Sequence, residues 1–414
     1  MLGYRAPRHC SGELGPRVLR ILRAAQAPTL NTVSAVIAEV EAIPLRIPLK
    51  TELPGAALWG EPLTAADTLL VKVTTSDGLV GWGEAFGLRG TDLAARALET
   101  LVVPLCVRHE TADIAALMDQ VQRKLHVFGR GGAITYALSA VDIALWDIAG
   151  KRAGVPIAGL LSGRAAESLP CYASLACYTE PDRVRAAVRR VVDDGFAALK
   201  LHESHLAAIQ AARDEAGPEV ALIVDAGCSW SVERAQGLAA DLDGLLFLEE
   251  PLWPPENFAG LAELRRSTGP RVSSGENVGT VMEFGRLLDA GAVDVVQPSP
   301  AKMGGITELR KVFPLAGAHG VPVMVHSFYD GPGLLAAIQV TAALGGVDAM
   351  IEWRWFDLEA SIYGDALAPI NGRIAVPPGP GLGHRPGPGC HRRLPRLNPK
   401  PLDRLSGYAR CLGD

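Results

Sequence analysis

The sequence predicts an α/β fold, a parallel (β/α)7β barrel carried behind an α+β domain. Three observations predict it. Seven short apolar runs follow one another, at 198–202, 221–225, 245–249, 272–276, 295–299, 323–326 and 349–352, each closing on a polar or charged residue. Their polar ends, Lys200, Asp225, Glu249, Glu276, Ser299, His326 and Glu352, recur every 23 to 27 residues. That is close to what a strand, a turn and a covering helix occupy. Apolar strands carrying charge only at their C-terminal tips belong to a parallel barrel with its active site at one rim.

The elements follow in order. Residues 1–33 lack a period-2 pattern and read as a disordered extension, or as an over-long translation start, with a short basic helix at 16–25. Residues 34–164 form the α+β domain. Its strands are expected at 36–43, 68–75 and 80–84, with Ser76-Asp-Gly78 as the turn between the last two. The stretch 51–66 has no periodicity and holds Trp59; a loop of that length in a compact domain is commonly an active-site lid. Helices are expected at 91–107, 113–125 and 133–153, the last apolar nearly all round and therefore buried.

The barrel occupies 165–356. It opens with a strand at 169–174, and its helices are expected at 181–194, 205–216, 231–241, 255–267, 280–290, 306–319 and 333–344. Stops such as Asp194-Gly195 and Ala290-Gly291 end several of them. Residues 357–383 return as an irregular C-terminal segment. Residues 384–414 are rich in Pro and Arg and read as a disordered tail.

Composition narrows the function classes. The chain has 414 residues, 48% hydrophobic and 21% charged, enough for two domains and a large core. The formal charge of −5 is uneven, because both ends are basic: the body between them holds 28 Lys and Arg against 42 Asp and Glu. An acidic body argues against nucleic acid as the partner. Seven scattered cysteines without a Cys-x-x-Cys pair argue against a disulfide framework or zinc knuckle and for the cytoplasm. No uncharged run of 18 apolar residues occurs, so no membrane span is expected, and the N-terminus lacks the pattern of a signal peptide.

The chemistry lies on the strand tips. Asp225, Glu249 and Glu276 end three successive strands and would converge above the barrel. Unneutralised they would repel one another, so a divalent cation is expected, and all-oxygen ligands favour Mg²⁺ or Mn²⁺ over zinc. Lys200 and His202, two residues apart on the preceding strand, share one side. His326 would approach from the other side. A cation between two proton-transfer groups suits removal of a proton α to a carboxylate.

Several motifs accompany these residues: Gly81-Trp-Gly-Glu84, Ser139-Ala-Val-Asp-Ile-Ala-Leu-Trp-Asp-Ile148, Leu248-Glu-Glu-Pro251, Ser274-Gly-Glu-Asn277, Gln297-Pro-Ser-Pro-Ala-Lys-Met-Gly-Gly-Ile306 and Gly379-Pro-Gly-Leu-Gly383. Together they resemble the enolase superfamily, in its mandelate racemase/muconate lactonizing enzyme-like branch. The resemblance implies a modified TIM barrel with an N-terminal capping domain and a homo-oligomer. It implies Asp225, Glu249 and Glu276 as Mg²⁺ ligands chelating a small-molecule carboxylate substrate, with Glu250 a neighbour at the metal. It also implies an ene-diolate stabilised by Mg²⁺ beside a Lys or His base, a pattern the general principle already names for this superfamily.

Three positions depart from the family pattern. His202 stands where a second Lys is frequent, so the base is His202 or Lys200. Ser299 replaces the Asp that orients the seventh-strand His, which leaves His326 without a partner to raise its pKa and makes a symmetric racemase less favoured. Gly227 stands where Asn is common. Glu352 matches a position that contacts substrate or intermediate. Lys302 would reach an anionic substrate, or else is an exposed loop lysine, and Trp59 would read the substrate side chain. The tail after Gly383 also departs, and a shifted reading frame would account for its composition. The expected reaction is dehydration of a sugar acid or related α-hydroxy acid to a 2-keto-3-deoxy acid, with His326 as general acid. The alternatives are a racemase or epimerase on the same residues, and a non-catalytic acid-binding protein.

Overall fold

The computed structural model describes residues 35–50, 55–58, 61–163, 165–267 and 269–387. The expectations for residues 1–33, for Trp59 and for the tail from 388 onward lie outside them.

Three antiparallel strands open the fold: β1 (Ile37–Pro48), β2 (Ala65–Thr75) and β3 (Val80–Ala85), in the order β1-β2-β3. The first two run longer than the sequence suggested, with a ladder reaching Pro48 opposite Ala65. Pro44 and Pro48 hid the extension. Both are tolerated because β1 lies at the sheet edge, where a missing N–H costs no ladder bond. The alternation resumes behind them, with Ile43, Leu45 and Ile47 buried against Leu70 and Ile362. The stretch read as an aperiodic lid is partly regular, since Ala57–Leu58 pairs with Glu61–Pro62.

Helices α1 (Thr91–Ala97), α2 (Ile114–Leu125) and α3 (Gly132–Ala153) cover this sheet. A π-turn at Leu98–Val102 carries α1 on to Cys106. α3 is long and apolar enough to cross a membrane, but 78% of its apolar window is buried inside the protein, as befits a core helix. The glycines of Gly81-Trp-Gly-Glu84 permit its close approach to β3. A Cβ at Gly83 would sit 1.8 Å from the Ala140 carbonyl oxygen, and one at Gly81 2.1 Å from that of Ala144.

After α4 (Ile157–Ser162), the barrel strands are β4 (Ser168–Ser174), β5 (Ala198–Leu201), β6 (Ala221–Asp225), β7 (Phe247–Glu249), β8 (Val272–Ser274), β9 (Val295–Val296) and β10 (Ile351–Arg354). They form one curled parallel sheet in the order β9-β8-β7-β6-β5-β4-β10. The helices between them are α5 (Pro181–Asp193), α6 (Leu206–Ala216), α7 (Val232–Leu238), α8 (Phe258–Ser267), α9 (Val281–Asp289), α10 (Gly305–Ala318) and α11 (Pro332–Leu344). A last strand, β11 (Arg373–Ala375), pairs antiparallel with β4.

One element differs from expectation. The run at 323–326 is not a laddered strand, so the curled sheet has seven strands rather than eight. Its backbone bonds β9 through Met324 N to Val296 O and follows it at His326 N to Pro298 O. Towards β10 its continuation is held by a side chain, because Ser327 N donates to Glu352 Oε2 at 3.0 Å. A carboxylate has taken the place of a backbone carbonyl, so the strand pattern stops.

The polar residues of the apolar motifs tie the two layers together. Glu84 accepts from Thr68 Oγ1 at 2.5 Å and from the N–H groups of Gly331 (3.1 Å) and Gly333 (2.8 Å) at the start of α11. Asp142 accepts from Thr307 N, Ser139 Oγ accepts from Gly304 N, and Asp147 accepts from Trp82 N and Leu382 N. Through Leu382, the segment after β11 is bound to α3. Glu84→Ala should therefore strand two buried N–H groups, at about 1–3 kcal/mol each. Urea unfolding checks this, and a loss below about 0.5 kcal/mol would show that the two layers do not depend on it.

Candidate metal centre and acid–base site

Parallel register places the carboxylates side by side. Asp225 closes β6 opposite Glu249, which closes β7, and Glu276 lies two residues past β8. One carboxylate oxygen from each lies within 4.8 Å of the others. Burial pushes Asp225 up to about 6 and Glu249 up to about 7; Lys200 pulls both down, while neighbouring carboxylates add to the rise. Glu249 Oε2 is buried and accepts no hydrogen bond from the described residues. An all-carboxylate set with an orphaned buried oxygen fits a hard divalent cation such as Mg²⁺ or Mn²⁺.

Glu250 does not join this set. Its Oε1 accepts from Ser274 Oγ at 3.0 Å and Gly275 N at 2.9 Å, which braces the chain just before Glu276.

Lys200 is fully buried. Its Nζ lies 2.7 Å from Glu249 Oε1, 2.7 Å from Glu352 Oε1 and 3.5 Å from Asp225 Oδ2. Burial alone would lower its pKa, but Glu249 and Glu352 raise it well above the usual lysine value. Glu352 is held down at about 2 despite its burial, chiefly by Lys200. Lys200 is thus an ammonium bridging carboxylates.

His202 sits beside it and differs in kind. Its Nδ1 is 2.5 Å from the Leu175 carbonyl oxygen, which can only accept, so Nδ1 carries the hydrogen. Nε2 then presents its lone pair towards the cluster, 3.4 Å from Asp225 Oδ2. Burial and the Lys200 charge lower its pKa.

His326 enters from the far side. Its Nε2 is 2.9 Å from Glu276 Oε2 and 3.8 Å from Glu352 Oε2. Burial opposes its charge, but Glu276 and Glu352 outweigh it and the pKa is raised. The expectation that Ser299 leaves it without a partner is corrected. Ser299 Oγ is 2.9 Å from Nδ1 and is itself hydrogen-bonded to the Tyr329 hydroxyl. The raised pKa comes from the cluster's own carboxylates instead.

Lys302 is also corrected: it is buried, not an exposed loop lysine. Its Nζ reaches Glu276 Oε1 at 3.2 Å and Asn277 Oδ1 at 3.3 Å, and lies 4.7 Å from the centre of the Phe86 ring.

These residues recur in known proteins. The model for the mandelate racemase / muconate lactonizing enzyme N-terminal domain matches residues 57–162, and that for the enolase C-terminal domain-like region matches residues 183–388. An arabinonate dehydratase of Saccharolobus solfataricus is 30% identical over 348 residues, spanning 81% of this chain and 92% of the relative. The chain belongs to the mandelate racemase/muconate lactonizing enzyme family of the enolase superfamily.

A second relative of this family member, a D-galactarolactone cycloisomerase of Agrobacterium fabrum, is 32% identical over 76% of this chain and 88% of its own length. Among solved structures, a mandelate racemase/muconate lactonizing protein of Paracoccus denitrificans PD1222 complexed with magnesium superposes with a TM-score of 0.74. It is 31% identical, covering 84% of this chain and 95% of that one. The family member's acidic triad is thus of the type that binds magnesium in enolase relatives.

Two cavities adjoin the centre. A cleft of about 570 Å³ opens beside Glu276 and Lys302, walled by Arg130, Tyr136 and Arg286. A small pocket of about 20 Å³ lies on the His202 side, between Ala57 and Leu63 and the residues Phe328, Arg354 and Phe356. Sequence reading missed Arg354 and Tyr329. Arg354 follows Glu352 by two on β10 and so shares its face. Its guanidinium lies over the Phe328 and Phe356 rings, with Nε donating to Asp330 at 3.1 Å. Tyr329 follows His326 by three in a loop, where no periodicity could signal it.

A direct consequence concerns metal affinity. Mg²⁺ at about 100 times its dissociation constant should stabilise the chain by about 2.7 kcal/mol. Glu249→Gln should abolish that gain, and a thermal shift that survives the substitution would remove Glu249 from the ligand set.

Proposed function

We propose that the chain is a Mg²⁺-dependent dehydratase of a sugar acid or related α-hydroxy acid. The coarser statement rests on the family: an enzyme that abstracts a proton α to a carboxylate, related to dehydratases and cycloisomerases. The observation that carries the finer reading is the pair of imidazoles flanking the triad, each with Nε2 turned towards it.

His202 is the base in this reading. Its Nδ1–H is anchored on Leu175 O, so Nε2 receives the α-proton as the C–H bond breaks. Lys200, committed to Glu249 and Glu352, positions both carboxylates and adds positive charge where the substrate carboxylate would lie. Bound through Asp225, Glu249 and Glu276, Mg²⁺ would supply positive charge for the enediolate electrons. His326 Nε2–H protonates the β-hydroxyl, the C–O bond breaks and water leaves. The enol then ketonises to the 2-keto-3-deoxy acid. Four free thiols among the described residues, Cys106, Cys171, Cys177 and Cys228, support a reducing compartment such as the cytoplasm.

Incubating the Mg²⁺-loaded protein with a panel of acid sugars in D₂O tests this. The expected product is a keto acid trapped by semicarbazide. Deuterium at Cα without keto acid would sink dehydration in favour of epimerisation. Consumption of a lactone or anhydro acid instead would favour cycloisomerisation, the activity named for the second relative. Metal-dependent binding with no exchange would leave a non-catalytic acid binder.

A further inference from the structure

We propose that Tyr329 is a positioning residue that decides which nitrogen of His326 handles the proton. The inference rests on the reading of His326 as the general acid.

For Nε2 to release and regain a proton through the cycle, Nδ1 must keep its own hydrogen, and an acceptor must face it. A carboxylate can only accept, so it fixes that polarity by itself. A serine cannot, because its single hydrogen can rotate onto Nδ1. The ring would then hold its hydrogen on Nε2 and lose the ability to cycle it there. Ser299 Oγ, 2.9 Å from Nδ1, stands in that ambiguous position.

Tyr329 removes the ambiguity. Its hydroxyl is buried and hydrogen-bonded to Ser299 Oγ, which is its one partner among the described residues. When the Ser299 hydrogen goes to the Tyr329 oxygen, Ser299 Oγ presents lone pairs to Nδ1–H and behaves as the carboxylate would, without its charge. Packing fixes the tyrosine there: its ring meets His326 edge-on at 5.7 Å and Phe86 at 6.2 Å. Nε2, on the other edge of the imidazole, faces Glu276 Oε2 at 2.9 Å, so the proton-bearing atom points into the centre.

Two measurements on the Mg²⁺-loaded full chain test this. In ¹⁵N imidazole spectra, assigned with His326→Asn, Nδ1 of His326 should carry hydrogen in the parent and lose it in Tyr329→Phe. A bare Nδ1 in the parent, or the same tautomer in both, would overturn the proposal even if no acid is ever turned over. In dehydration kinetics, Tyr329→Phe should lower kcat by about 10–100-fold with KM little changed, part of the roughly 10²–10⁴-fold a general acid supplies. Ser299→Asp provides an acceptor-only partner, so adding Tyr329→Phe to it should cost less than about threefold in kcat. A tyrosine that is merely structural would cost as much in both backgrounds, and that outcome would end the proposal. Absence of keto acid from the parent would sink the dehydratase reading alone, with the tautomer spectra still deciding this one.

Discussion

Lys200→Met should destabilise the metal-free chain by about 3–5 kcal/mol, the usual cost of removing one partner from a buried ion pair. The ammonium lies 2.7 Å from both Glu249 and Glu352, and neither carboxylate reaches solvent. Without it, Asp225, Glu249, Glu276 and Glu352 would share one buried site with no cation inside it. Mg²⁺ should recover part of the loss, because it restores positive charge to three of the four. Urea unfolding with and without Mg²⁺ reads both effects. A loss below about 1 kcal/mol would mean that Lys200 is not the counter-charge the geometry describes.

His202→Asn should leave stability and Mg²⁺ binding close to the parent while lowering kcat by roughly 10²–10⁴-fold. The side chain is only partly buried, and its one close hydrogen bond is to Leu175 O, which an asparagine amide can approach. His326→Asn should instead retain exchange of the α-proton with solvent while losing expulsion of the β-hydroxyl. Quenched-flow exchange in D₂O with each variant separates the two roles. If exchange survives His202→Asn and disappears in His326→Asn, the direction of proton traffic is reversed.

The sequence carried much of this. Periodicity needs only the local chain, so α3, α5, α6 and the other barrel helices lie within a few residues of where their patterns place them. The evenly spaced strand tips likewise located Asp225, Glu249 and Glu276, because parallel strands of one curled sheet must end at one rim. Errors arose where a side chain replaced backbone, as Glu352 does opposite Ser327, or where prolines interrupted an edge strand, as in β1.

Proton chemistry was legible only as residue types. Lys200 and His202 sit two apart on one strand, and nothing in that spacing says which is the base. The fold decides by burying Lys200 between two carboxylates and giving His202 a carbonyl for its Nδ1–H. Ser299 read as a missing partner until the loop after His326 brought Tyr329 onto it. Strand-end carboxylates are fixed by periodicity, which is local. The state of a proton depends on burial, charge and hydrogen-bond polarity summed over segments far apart in the chain, and these meet only in the tertiary structure.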